Sequence, residues 1–428
     1  MSAVEDVRAR LLALPDAALV ALFVLAIWLV LSVLAFSVGA AQSANLAAGF
    51  VGSVTVLIGA YALLTLALNL QWGYTGLFNI GVAGFMAVGA YTTAILTAPA
   101  DPGAGGVPGF GLPLWFGLLG GMVMAALVGA LAALPALRLR ADYLAIVTVA
   151  LSEIIRLFVN WQGVAEVQVF GRRFGTGGAT GISFPAPDDV IAEVVRGLGG
   201  PLVAIAESLG VSGPNVVNIA YGLALFALVV GAYWVLNRLV KSPFGRVLKA
   251  IREDETVTQS LGKDTRLFKI KAFMIGCALM GLAGALFRGG AGYISPAQFR
   301  PAITFYVFAA LIIGGSGSNT GSVLGAATFS ALLFYLPARL GEYFPTFGTN
   351  APGNVVEAVA ALGSLDPTPL LAYTISNVST LRFVLIGVVL IYIIQNYPQG
   401  ILGNRSEPAT SVDLTRHRPA DSGGETDE

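Results

Sequence analysis

A glutamate and an arginine, Glu153 and Arg156, stand three residues apart within an apolar run. Side chains at i and i+3 of a helix lie on the same face, so the two are expected to pair. Two interpretations remain open: an internal ion pair that only stabilises the helix, or a pair that lines a substrate path or gate. Another arginine, Arg288, has no local acidic partner and is expected to face protein or a water-filled cavity.

Polar residues also interrupt the apolar pattern over residues 68–76, which read LNLQWGYTG. Free polar groups and glycines here predict a turn or a broken helix. Such backbone is tolerated at membrane depth only where it is buried in protein or lines a cavity. Asn69, Tyr74 and Asn79 are therefore candidates for lining a translocation path, with packing or a simple turn as the alternative.

Charged residues are concentrated in residues 242–273, which read SPFGRVLKAIREDETVTQSLGKDTRLFKIKAF. Nine of the 24 Lys and Arg residues lie between Arg238 and Lys271. The spacing predicts a helix with Ser242 as its cap, followed by a second helical stretch that Gly262 ends. One face of the first helix carries an apolar stripe formed by Phe244, Val247, Leu248 and Ile251.

Three interpretations of the charged segment compete. A basic loop that only sets topology and attracts anionic lipid leaves the interleaved Glu253 and Asp254 unexplained, because the lipid would repel them. A solvated loop without a partner leaves the apolar stripe unexplained. A docking helix, whose stripe and charges fit a groove on a cytoplasmic protein, accounts for both features.

Counting excludes several chemistries. One cysteine, Cys277, and one histidine, His417, rule out a Cys/His metal site, a disulfide framework and a Cys–His nucleophile pair. No G-x-x-x-x-G-K-[ST] motif occurs, so the energy for any transport must come from a partner or an ion gradient. The formal net charge of zero provides no field that would attract nucleic acid. No bound cofactor is expected.

These residues belong to a chain that is 56% hydrophobic and 11% charged, against about 25% charged residues in soluble domains. Apolar runs long enough to cross a bilayer recur along nearly the whole length, which predicts an all-α polytopic membrane protein. About ten transmembrane helices are expected, or as few as eight if the short eighth span merges with the ninth. The candidate spans run near 17–37, 47–70, 77–97, 112–137, 142–160, 216–237, 272–292, 302–315, 321–338 and 381–397.

The basic residues orient these spans. With the N-terminus inside, the inner side receives sixteen of the 24 Lys and Arg residues, so both termini are expected in the cytoplasm. Loops 161–215 and 339–380 are then extracytoplasmic. Each holds an amphipathic stretch, near 187–198 and 354–362, expected on the outer membrane surface or against an external protein. The polar tail 404–428 is expected to be disordered.

Glycines mark one further feature. Gly317, Gly321 and Gly325 form two successive G-x-x-x-G steps, which predict a flat ridge for the close approach of another helix. The Gly-rich turn at 314–317 has no lysine and is not a phosphate cradle.

The charged segment carries Gly245-Arg246, then Ala250 to Glu255 as AIREDE, then Leu261-Gly262. This order resembles the cytoplasmic coupling loop of the LivM-type permeases of branched-chain amino-acid ABC transporters. Other segments agree in order: GYTGLFNIGVAGFMAVGAY, LRLRADYLAIVTVALSEIIRL, GTGGATGI, GLAGALFRGGAGYISP, IGGSGSNTGSVLGA and YPQGILG. The resemblance covers about residues 70–403, and residues 188–214 and 341–379 are longer than the family usually has.

The resemblance implies an ABC importer permease fold for residues 1–403, with a coupling loop at 241–271. The implied ATPase-coupling residues are Phe244, Gly245, Arg246, Ala250, Ile251, Arg252, Glu253, Asp254, Leu261 and Gly262. The implied partners are a LivH-like second permease, two cytoplasmic ABC ATPase subunits that use ATP and Mg, an extracytoplasmic binding protein and membrane lipid.

The expected function is therefore a non-catalytic permease subunit that moves branched-chain amino acids across the cytoplasmic membrane. A urea or amide permease of the same superfamily is an alternative, because close relatives share the coupling loop. A gradient-driven secondary transporter or channel is another, although the coupling loop and the few intramembrane acids argue against it. A structural scaffold fits the Gly-interrupted spans less well.

Overall fold

The computed structural model describes residues 15–38, 43–102, 106–136, 141–169, 172–198, 200–343, 351–364, 366–397 and 399–400. Helices dominate these residues, because an apolar chain must satisfy its backbone hydrogen bonds within each segment. They are α1 (Asp16–Val38), α2 (Ser43–Leu68), α3 (Val82–Thr97), α4 (Leu114–Ala136), α5 (Ala141–Asn160), α6 (Pro187–Leu198), α7 (Gly200–Ser208), α8 (Gly213–Lys241), α9 (Pro243–Glu253), α10 (Glu255–Ser260), α11 (Thr265–Phe287), α12 (Ala302–Gly314), α13 (Asn319–Ala327), α14 (Leu336–Tyr343), α15 (Val355–Ala360), α16 (Thr368–Ser376) and α17 (Val378–Asn396).

Two π-helical segments, four short 3₁₀ turns and two small sheets complete the described fold. Asn69–Gly73 continues α2, and Thr328–Tyr335 connects α13 to α14. The antiparallel pairs are β1 (Val167–Val169) with β2 (Arg172–Phe174), and β3 (Ile182–Ser183) with β4 (Tyr293–Ile294).

Seven described helices are long and apolar enough to cross a membrane, or eight if α16 and α17, which meet at 90°, count as one bent span. The predicted number of about ten is therefore not confirmed. The difference lies in the third and eighth predicted spans, because irregular backbone precedes both helices. At 16 and 13 residues, α3 and α12 are only about 24 and 20 Å long at 1.5 Å per residue, short of the ~30 Å hydrocarbon core.

Helix α2 forms the centre of the bundle. It contacts α1, α8, α11, α12 and α13, and its Leu63, Leu64 and Leu66 are fully buried. Helices α1, α4 and α5 instead leave large apolar side chains exposed, such as Leu29 at 68% and Leu131 at 67%. Such outward apolar surface is suited to lipid or to another membrane subunit.

Small residues let α3, α4 and α11 cross closely. A Cβ on Gly89 of α3 would lie 2.2 Å from the Cα of Gly281 in α11, and a Cβ on Gly281 would lie 2.6 Å from the Cβ of Ala125 in α4. Membrane helices depend on such contacts, because lipid provides little hydrophobic drive for helix association.

The bundle has two distinct ends. Helices α9 and α10 lie at one end, together with the start of α1, since Tyr233 near the end of α8 bonds to Asp16 at 3.2 Å. Gly400 also lies at this end, because a Cβ there would be 2.4 Å from the Gly315 amide nitrogen. The β3–β4 pair and helices α6 and α7 lie at the other end.

Both amphipathic stretches of the long loops form helices. Helix α6 begins at Pro187, and α15 begins after Asn354, whose Oδ1 accepts a hydrogen bond from the Glu357 amide at 2.8 Å. The predicted tail 404–428 lies outside the described residues.

Candidate functional site

Helix α9 begins where the sequence places its cap. The Ser242 Oγ accepts a hydrogen bond from the Gly245 amide at 3.5 Å, and Pro243 occupies the first turn. Gly245 permits a close approach to the end of α8, since a Cβ there would lie 2.1 Å from the Val240 carbonyl oxygen. The chain therefore turns sharply from α8 into α9.

The apolar stripe of α9 packs against its own chain. Leu248 and Ile251 are 0% and 5% exposed, and the Phe244 ring stacks on Phe268 of α11 with 5.2 Å between centroids. Leu248 and Ile251 therefore cannot enter a groove on a cytoplasmic protein in this conformation. Phe244 and Val247 are half-buried, so docking of the charged loop through its stripe stays a prediction. Any coupling role of Phe244 and Ile251 stays a prediction and would act through this packing.

The outward face of the charged loop is available to a soluble partner. Arg246, Ala250, Glu253 and Asp254 are exposed, and Leu261 is 72% exposed. An apolar tip surrounded by charges of both signs resembles the surfaces that form protein interfaces.

Helix α10 is fixed to the start of α11. The Asp254 Oδ1 accepts a hydrogen bond at 3.0 Å from the first turn of α10, and Glu255 forms an ion pair with Lys269. Glu255 also accepts a hydrogen bond from the Thr265 hydroxyl at 3.0 Å. Gly262 ends the stretch as predicted, with a φ of +77° that favours glycine.

Arg252 connects α9 to the π-helical turn at the end of α2. Its Nη1 donates a hydrogen bond to the carbonyl oxygen of Gly73. Carbonyls at a helix end lack partners within the helix and carry partial negative charge, which favours a cation there. Gly317 lies alongside: its φ is +92°, and a Cβ there would be 3.0 Å from the Arg252 Nη1.

Asn69 joins the same π turn to the turn that precedes α13. Its Oδ1 accepts a hydrogen bond from the Gly317 amide at 2.8 Å, and its Nδ2 donates to the Asn319 Oδ1 at 3.1 Å. Asn69 and Asn319 are 0% and 2% exposed, so these bonds form in a low-dielectric interior. We call Asn69–Gly73, Asn79, Arg252 and residues 315–319 the polar junction.

Gln71 connects the polar junction to two further helices. Its Nε2 donates to the Phe273 carbonyl of α11 at 2.9 Å, and its Oε1 accepts from the Asn79 Nδ2 at 2.8 Å. Asn79 in turn accepts from the Gly81 amide before α3 at 2.8 Å. Gln71 was not among the predicted path residues, although an amide within an apolar run signals a required hydrogen-bond partner.

Of the five path candidates, the three that lie near the end of α2 are buried in the described conformation. Asn69, Tyr74 and Asn79 are 0%, 2% and 0% exposed, and both asparagines bond within the chain. The Tyr74 ring lies under Lys249 of α9, with 5.6 Å from Nζ to the ring centroid. This arrangement favours packing at the polar junction, and a path-lining role stays a prediction.

The Glu153–Arg156 pair forms on α5, away from the polar junction. The Arg156 Nε donates to the Glu153 Oε2 at 2.9 Å, and Nη2 bonds to the second carboxylate oxygen. The Glu153 and Arg156 side chains are 38% and 22% exposed, and the adjacent Ile154 and Leu157 face outward. The pair therefore borders the outward apolar surface of α5, and its role in a path or gate stays a prediction.

The glycine ridge in the structure differs from the predicted one at one position. Gly321 and Gly325 of α13 do pack closely, since a Cβ on Gly325 would lie 2.2 Å from the Ala310 carbonyl oxygen of α12. Gly317 is not part of this contact, because it precedes α13 in a turn. Gly314 of α12 supplies the third glycine: a Cβ there would lie 1.9 Å from the Gly321 carbonyl oxygen.

Comparison with known proteins assigns the family. Residues 50–338 match the family described as the branched-chain amino acid transport system permease component. The chain is 37% identical over 269 residues to the high-affinity branched-chain amino acid transport system permease protein LivM of Escherichia coli (strain K12), covering 62% of this chain and 59% of that protein. It is 28% identical to a probable LivM of Methanocaldococcus jannaschii, covering 65% of this chain and 79% of that one.

The match thus spans about three fifths of the length of the Escherichia coli relative. No solved structure matches the chain. With its long apolar helices, the chain is a multi-pass membrane protein that belongs to the family of branched-chain amino acid transport permease components.

Proposed function

We propose that the chain is the transmembrane permease subunit of a binding-protein-dependent ABC importer, which moves branched-chain amino acids across the cytoplasmic membrane by ATP-driven alternating access. The relatives named LivM support the substrate class. A further relative, a probable branched-chain amino acid transport permease protein LivH of Methanocaldococcus jannaschii, is 30% identical over 28% of this chain and 38% of its own length. It supports pairing with a second, similar permease.

The remaining partners are two cytoplasmic ABC ATPases, which use ATP and Mg, and an extracytoplasmic binding protein. In this assembly both termini and the α9 end face the cytoplasm. The exposed residues of the charged loop, such as Arg246 and Leu261, then meet the ATPases.

The observation that carries the proposal is the hydrogen bond from Arg252 to Gly73. It joins a helix with an outward charged face to the π turn that ends the central helix α2. π-Helical segments are frequent at functional sites, where they let a helix change its register or direction. A displacement of α9 by closing ATPases therefore reaches α2 and, through Asn69, the turn before α13.

Uptake into vesicles tests the function. The chain is reconstituted with its co-expressed neighbours, and uptake of labelled leucine and labelled urea is measured with internal ATP or a non-hydrolysable analogue. We expect leucine uptake that requires hydrolysable ATP and survives collapse of the ion gradients. ATP-dependent uptake of urea without leucine would overturn the substrate class. Gradient-driven uptake by this chain alone would overturn the importer.

A further inference from the structure

A cleft opens at the end of the bundle opposite α9, between α6, α7 and the start of α8. Its volume is about 650 Å³, which is within the range of small-molecule sites. Three charged side chains line it: Asp188 and Arg196 from α6, and Glu207 from α7. Nothing in the transport mechanism proposed above uses these residues.

The charges in the cleft do not neutralise one another. Among the residues that the structure describes, none of the three forms an ion pair. The Arg196 Nε donates to the Ala192 carbonyl at 3.2 Å, which fixes the guanidinium but leaves its two terminal nitrogens for a ligand. An arginine held in this way is pre-organised to bind a carboxylate with two parallel hydrogen bonds.

Two carboxylates provide the opposite charge. A Cβ on Gly213 would lie 3.4 Å from the Glu207 Oε1, so this carboxylate lies by the N-terminus of α8, where an anion is stabilised. Partial burial, with Asp189 alongside, raises the pKa of the Asp188 carboxyl above its usual range. A bound ammonium group would offset that cost of burial.

The other polar side chains of the cleft are already occupied. Asn215 donates to Asn45 at 2.7 Å, and Asn218 donates to Ser53 at 3.3 Å. The remaining wall is apolar and includes Ala192, Val195 and Val203. Among the described residues, the cleft therefore combines an aliphatic surface with one cation and two anions that form no ion pair.

We propose that this cleft binds a zwitterion with a short aliphatic side chain. Arg196 holds its carboxylate, Asp188 and Glu207 hold its ammonium group, and the aliphatic wall covers its side chain. The inference goes beyond the proposed transport function and does not depend on it, because binding requires neither the ATPases nor translocation.

Binding of leucine to the purified full chain in lipid nanodiscs tests this inference. Equilibrium dialysis with labelled leucine measures the Kd, and saturation-transfer NMR reports the bound side chain. Two analogues separate the contributions of leucine's two charged groups to binding: 4-methylpentanoate lacks the ammonium group, and 3-methylbutylamine lacks the carboxylate. We expect both analogues to bind at least about tenfold more weakly than leucine, because each leaves a charged partner unpaired.

Arg196→Gln and Glu207→Gln should each weaken leucine binding by about tenfold or more. Arg173→Gln is the matched control, because Arg173 is also an extracytoplasmic-loop arginine but pairs with Glu166 at 3.1 Å, away from the cleft. The thermal unfolding midpoint of each variant shows whether it is folded. If Arg196→Gln does not fold, Glu207→Gln still tests the inference. The inference would be overturned if leucine did not bind, or if both variants bound leucine as tightly as the unaltered chain. It would also be overturned if 3-methylbutylamine bound as tightly as leucine. Import that fails while the cleft still binds leucine would count against the proposed function alone.

Discussion

Arg252 is the single residue whose chemistry the coupling proposal needs most. Replacing it with glutamine removes the positive charge that strengthens the hydrogen bond to the Gly73 carbonyl oxygen. A charge-assisted hydrogen bond of this kind is worth about 1.5–3 kcal/mol. We expect Arg252→Gln to reduce ATP-dependent leucine uptake by about tenfold or more. Arg252→Lys keeps the charge without the planar fork and should give an intermediate rate.

Arg266→Gln is the control for this experiment, because Arg266 is an exposed arginine of the same loop outside the matched coupling pattern. Its uptake should remain near that of the unaltered chain. Normal uptake by Arg252→Gln, at a normal level of protein in the membrane, would refute a coupling role for Arg252.

At the residue scale, spacing along the chain correctly predicted the features that depend only on residues close in sequence. The Ser242 cap, the end at Gly262 and the Glu153–Arg156 pair all involve residues within a few positions of one another. The polar junction does not: Arg252 is 179 residues from Gly73, and Asn69 is 250 residues from Asn319. Such partners depend on how the helices pack, which spacing along the chain does not specify.

Among the elements, the α12–α13 hairpin leaves almost no room for added volume. A Cβ on Gly314 would lie 1.9 Å from the Gly321 carbonyl oxygen, so Gly314→Ala must push the two helices apart. We expect it to lower the free energy of unfolding by about 1–3 kcal/mol, as overpacked cores do. Gly231→Ala in α8 is the matched control, since no atom lies within 4 Å of its added Cβ.

A thiol-reactive fluorescent dye measures this effect, because the single cysteine, Cys277, is buried until the chain unfolds. Gly314→Ala should release the thiol at a temperature several degrees lower, whereas Gly231→Ala should leave the midpoint nearly unchanged. Equal midpoints for the two variants would show that the hairpin is less closely packed than described.

Helix α9 shows why an element can be predicted while its neighbours are not. The spacing of its apolar residues predicted that the segment is helical and which face of that helix is covered. It did not specify the covering surface, and the structure places Leu248 and Ile251 against the same chain. The same reasoning applies to Gly317, which a G-x-x-x-G count assigns to a helix and the structure assigns to a turn.

For the whole molecule, composition predicted the class but not the number of spans. Apolar runs identify membrane helices by length, yet residues 77–81, which the predicted third span includes, are not helical. Irregular backbone at that depth requires partners, and the Thr148 hydroxyl supplies one by accepting a hydrogen bond from the Ile80 amide at 2.9 Å. Partners supplied by other helices therefore decide where α3 begins.

The last prediction concerns the orientation of the whole bundle. The positive-inside rule places the α9 end in the cytoplasm, where ATPases are found. Leu261→Cys at that end and Ile205→Cys at the opposite end create thiols at sites that are 72% and 57% exposed. In intact spheroplasts, a membrane-impermeant maleimide should label Ile205→Cys at once and Leu261→Cys only after permeabilisation.

The unaltered chain is the control, because its buried Cys277 should stay unlabelled in both conditions. The reverse pattern would place the charged loop outside the cell, where ATPases cannot act on it, and would refute both the orientation and the importer.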